Sequence, residues 1–167
     1  MSINFFDSKC QTHSSQKLFG LCDDPPPHKP AYIDEKDGRK WIAVLINEEK
    51  YEVTFTALDH CIEILRDDGK PAKRCDGFLN YEKTVIFVEL KQRGAAGNTW
   101  VEDAEKQLRT SIEYFEKEKE SKNFENKRAY IANSEHPKFK ESQMRRMDQF
   151  LTDTNYVLRI ENRITLN

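Results

Sequence analysis

The chain has 167 residues, 37% of them hydrophobic and 34% charged, and its 27 Lys and Arg against 29 Asp and Glu leave a formal charge of −2. At this length a single domain is expected, and 10 Phe, 6 Tyr and 2 Trp supply more core-forming area than a disordered chain carries. The charge balance excludes a histone-like polybasic binder; with no apolar run near the roughly 18 residues of a membrane span and no basic-then-apolar start, a cytoplasmic protein without membrane association is expected.

Residues 1–30 hold four of the six prolines, at 25, 26, 27 and 30, and read as an irregular N-terminal arm, because proline suits neither helix interior nor central strand. The domain is then expected over residues 31–167. Trp41 to Ile46 is a continuous apolar run, and Tyr51 to Phe55 alternates with period two. With a turn at Asn47 to Lys50 between them, a hairpin is predicted. Residues 57–66 place Ala57, Leu58, Cys61, Ile62 and Leu65 at helical spacing, although β-branched Ile62 and Ile64 leave a strand open.

Two strand-like runs follow, Cys75 to Asn80 and Thr84 to Lys91. The second is apolar from Val85 to Val88, as a strand buried on both faces must be. After the loop Gly94 to Asn98, Thr99 and Glu102 have the spacing of a capping box. Val101, Ala104, Leu108, Ile112 and Phe115 then form a helical apolar stripe, with Lys117 to Lys127 as its solvated end. Ala129 to Ala132 reads as a short strand, Phe139 to Leu151 as a second helix, and the alternating Tyr156 to Leu166 as a terminal strand. This order gives an α/β fold, a mixed central sheet flanked by helices.

Glu89 and Lys91 end the apolar strand and, two residues apart, project from the same face. Ionised groups there are costly unless paired or metal-bound. A hairpin turning through Glu82-Lys83 pairs residues whose numbers sum to 165, so Asp76 falls opposite Glu89 with Cβ atoms roughly 4.5–5.5 Å apart. Facing carboxylates repel, and a divalent cation between them resolves the repulsion. Gln107 lies about 95° round the following helix from its apolar stripe, where it either reaches the edge of this site or is simply exposed.

Asp76, followed after 12 residues by Glu89-Leu90-Lys91 at a strand end, resembles the PD-(D/E)xK motif of restriction-endonuclease-like nucleases, with Cys75 where the name-giving proline would stand. Gln107 is similar to a glutamine that several branches of that superfamily carry. The resemblance implies a restriction-endonuclease-like fold and phosphodiester hydrolysis with Mg²⁺ or Mn²⁺. Asp76, Glu89 and the Leu90 carbonyl would hold the ion, and Lys91 would orient or activate the attacking water. An upstream acid is common in such nucleases; Asp59 and Glu63 both qualify.

The expected partner is nucleic acid, DNA rather than RNA, with specificity from DNA structure, self-association or a partner subunit, as in repair, restriction or antiviral defence. The alternative is a catalytically inactive module of the same fold that binds nucleic acid or protein. Lys138, Lys140, Arg145 and Arg146 offer a local positive footprint or a solvated helix face, and Arg93, Gly94, Gly97 and Asn98 a loop able to approach phosphate. Cys10, Cys22, Cys61 and Cys75 are expected as thiols. A zinc set of Cys10, His13, Cys22 and His28 has no standard spacing.

Overall fold

The computed structural model describes residues 2–25, 29–92, 99–134 and 143–167. Among these residues ten strands form two sheets: β1 (Gln11–Ser14), β2 (Leu18–Cys22), β3 (Tyr32–Asp34), β4 (Ala43–Ile46), β5 (Val53–Ala57), β6 (Gly77–Tyr81), β7 (Thr84–Lys91), β8 (Asn126–Asn133), β9 (Val157–Ile160) and β10 (Arg163–Thr165). The larger sheet has the order β1-β5-β6-β7-β8-β9, antiparallel from β1 to β7 and parallel across β7-β8-β9. The smaller has the order β10-β4-β2-β3. Among the described residues two helices, α1 (Thr99–Glu116) and α2 (Met144–Thr154), complete a mixed α/β architecture.

The uniform apolarity of β7 follows from its position. Val85 and Phe87 join Leu108, Ile112 and Phe115 of α1 in one core, whereas Ile86, Val88 and Leu90 join Phe19, Leu45 and Ile164 of the smaller sheet in a second. The predicted stripe of α1 is buried throughout, and Gly77 pairs with Val88 in the expected register. Glu82, at φ 49°, makes the tight turn between β6 and β7.

Several expectations are corrected. Residues 1–30 are not an irregular arm: β1 edges the larger sheet, β2 lies inside the smaller one, and Phe5 packs 5.3 Å from Phe115 between ring centres. Among the described prolines of this segment, Pro25 and Pro30 fall between β2 and β3, past the alternating Phe19 and Leu21, which are free to form a strand. β4 and β5 are not a hairpin, because they lie in different sheets. Buried Asn47 carries the chain between them, its side chain bonding Gln16 O, Tyr51 O and Tyr51 N. Residues 58–65 are a turn rather than a helix or strand: His60 sits at φ 64°, and one turn of bonds closes on the Leu58 carbonyl. Residues 119–123 form a separate 3-10 turn rather than the end of α1. Residues 156–166 divide into β9 and β10, one in each sheet.

The thiol expectation is corrected too, since Cys10 and Cys61 form a disulfide with Cα atoms 5.8 Å apart, while Cys22 and Cys75 are free and buried. That bond removes Cys10 from the zinc set, and His13 bonds Thr54 instead. His28, the loop 93–98 and Lys138 and Lys140 lie outside the described residues. Among the described residues no helix is long and apolar enough to cross a membrane.

Candidate functional site

The helix-facing side of the larger sheet carries the site at the C-terminal end of β7. Asp76 immediately precedes β6, and Gly77 after it leaves the backbone no latitude: a Cβ there would lie 2.3 Å from the Thr56 carbonyl oxygen. The chain is further pinned to α1, because the Cys75 N–H donates to Ser111 Oγ (2.8 Å), which in turn donates to the Gln107 carbonyl (2.9 Å).

Asp76 and Glu89 clasp reciprocally. The Asp76 N–H donates to Glu89 Oε1 (3.0 Å), and the Leu90 N–H donates to Asp76 Oδ2 (2.7 Å). Both side chains are buried, at 7% and 3% exposure. Burial first, and the Glu89 charge second, hold the Asp76 carboxyl well above the usual carboxylate range. Glu89 is also raised by burial, which the nearby Lys91 ammonium partly offsets. Across the clasp the Glu89 charge thus opposes ionisation of Asp76.

Lys91 Nζ stands 3.2 Å from Glu89 Oε2 and donates to Gln107 Oε1 (3.3 Å), while Gln107 Nε2 donates to the Arg74 carbonyl (3.3 Å). Gln107 thus reaches the site rather than solvent. The upstream acids separate. Asp59 borders the adjoining cleft of about 380 Å³ with Lys73, Arg74, Lys91, Asp103 and Gln107. Exposed Glu63 borders a larger cleft, of about 950 Å³, that none of Asp76, Glu89, Lys91 or Gln107 lines.

Nothing in the sequence points to Asp23, placed just past β2. Its carboxyl is raised, by burial first and by the Asp59 charge second, and its own charge in turn helps to raise Asp76. The basic cluster reads differently in three dimensions, for Arg146 pairs with Glu102 and Glu105 of α1 and so fastens the helices together. Arg145 is exposed.

The donor set suits a small hard cation. Among the described residues no three His, Cys, Asp or Glu side chains form a metal cage, but Mg²⁺ keeps several waters and needs only one or two carboxylates. A cation held between Asp76 and Glu89 would relieve the charge repulsion that raises Asp76. In a strand a residue's N–H and C=O point to the same side, so the Leu90 carbonyl is directed toward β6 and Asp76. Comparison with family models, with curated proteins and with solved structures gives no match.

Proposed function

We propose that the chain is a metal-dependent nuclease of the restriction-endonuclease-like kind, hydrolysing phosphodiester bonds in nucleic acid, DNA rather than RNA. The observation that carries this reading is the Asp76–Glu89 clasp, with Lys91 beside it on the same face of a strand otherwise buried among apolar side chains. The succession β5-β6-β7-α1-β8 around these residues supports the same family resemblance.

Asp76, Glu89 and the Leu90 carbonyl would hold Mg²⁺ or Mn²⁺, which when bound lowers the pKa of a water and polarises a phosphoryl oxygen. Lys91 orients that water and offsets negative charge as it develops on the phosphoryl oxygens. Gln107 holds the ammonium in place by accepting from Nζ while its own amide is anchored on the Arg74 carbonyl. The protein would act as an oligomer or with a partner subunit, in repair, restriction or antiviral defence. A second reading, a non-catalytic module that binds nucleic acid or protein, is favoured by the existing Glu89–Lys91 ion pair, which occupies the lysine.

The test is cleavage of single- and double-stranded DNA and RNA with Mg²⁺ or Mn²⁺, beside Lys91→Ala. Loss of on the order of 10²-fold or more in rate is expected, with the fold and the Mn²⁺-induced rise in melting temperature retained. An inactive wild type, or a folded Lys91→Ala that cleaves normally, refutes the assignment.

A further inference from the structure

The cleft beside Lys91 contains a guanidinium whose hydrogen-bonding capacity is underused. Arg74 has a side chain only 19% exposed. Its Nη1 donates to the Ile62 carbonyl (2.8 Å), but Nη2 lies 3.5 Å from Asp59 Oδ1, longer than the roughly 2.7–2.9 Å of a charge-assisted bond. Nε is buried without a partner. Nε and Nη2 form the side fork of the guanidinium, the pair of donors that matches two oxygens of a carboxylate or phosphate. A buried charged donor left unpaired is costly and is a rare feature among buried polar groups.

The backbone holding this fork is fixed relative to the proposed centre. The Arg74 carbonyl accepts from Gln107, the next residue's N–H donates to Ser111, and Asp76 follows directly. Lys73 and Lys91 border the same cleft, giving it three cations against Asp59 and Asp103.

We infer that Arg74 is a substrate-binding residue whose Nη2 receives a phosphodiester group of nucleic acid in place of Asp59, whose departure would also uncover the buried Nε. Asp59 holds Nη2 at the cleft until the phosphate displaces it. This rests on the nuclease reading for the substrate class, but its test does not require turnover. A labelled DNA oligonucleotide, single- or double-stranded, is titrated with protein in EDTA at several salt concentrations, and cleavage is measured separately in Mn²⁺.

Arg74→Gln is expected to weaken binding about tenfold and to reduce the log–log salt slope by roughly 0.9 for duplex, one phosphate contact. In cleavage the loss should fall on KM more than on kcat, unlike that of Lys91→Ala. Asp59→Asn keeps the guanidinium while removing its competing carboxylate, so it should tighten binding severalfold, and this arm stands if Arg74→Gln fails to fold. Unchanged affinity and slope in folded Arg74→Gln, or unchanged or weaker binding by Asp59→Asn, overturns the inference. A wild type that binds the oligonucleotide without cleaving it refutes the nuclease reading while the binding arms still decide Arg74. A wild type that binds none overturns the inference itself.

Discussion

Asp76→Asn separates a metal-binding carboxylate from a structural one. The substitution keeps the shape of the side chain: its amide oxygen can still accept from the Leu90 N–H, now 2.7 Å from Asp76 Oδ2, and its NH₂ can donate toward Glu89. Only the second charge of a facing pair is lost. Like charges directly opposite across two strands destabilise by up to about 1 kcal/mol, and in a chain of this size 1 kcal/mol corresponds to roughly 2–4 °C in Tm. In EDTA at neutral pH, Asp76→Asn should therefore melt at or a few degrees above the wild type.

The pH dependence has a defined sign. The folded pKa of Asp76 lies above its unfolded value, so the native state binds the proton more tightly. The resulting stabilisation is complete below the unfolded pKa, about 4, and is lost as pH rises toward the folded pKa. Metal-free wild type should lose stability on alkaline titration from that point, and Asp76→Asn should lose less, retaining only the Glu89 contribution of the same sign. With Mn²⁺ at about 100 times its Kd the wild type gains about 2.7 kcal/mol, roughly 5–11 °C in Tm at the conversion above; the variant should not. Melting curves by calorimetry with and without Mn²⁺, across pH, make the measurement. A metal-independent loss of about 3–5 kcal/mol in Asp76→Asn, as for a broken buried ion pair, or a wild type indifferent to Mn²⁺, would refute the argument.

Two further perturbations test the scaffold. The Cys10–Cys61 bond spans 51 residues, a loop whose closure is worth about 4 kcal/mol in the chain-entropy description. Cys10→Ser should lower stability by about that amount in urea and make it indifferent to dithiothreitol, whereas a wild type already insensitive to reductant would show that the bond does not form. Arg146→Ala leaves Glu105, 14% exposed at its side chain, without one of its two arginines, and should cost about 1–3 kcal/mol while leaving the salt dependence of nucleic-acid binding unchanged. A flattened salt slope with undiminished stability would instead make Arg146 a phosphate contact.

Where partners are close along the chain, local pattern alone determined the outcome. Two strands joined by a tight turn at Glu82-Lys83 take the register that the turn sets, and that register brings Asp76 to Glu89. The stripe from Val101 to Phe115 likewise determined which side of α1 is buried, and thereby left Gln107 turned toward Lys91. Alternation, however, says which face of a strand is buried and not which strand lies beside it. Only the tertiary structure assigned β4 and β5, or β9 and β10, to different sheets, because a turn such as Asn47 to Lys50 is equally compatible with a hairpin and with a crossing between layers. The same holds for Asp23, Ser111, Arg74 and the Cys10–Cys61 pair. Each acquires its role from a neighbour distant in sequence, and no local propensity encodes that proximity, since it is established only when the two sheets and α1 close around β7.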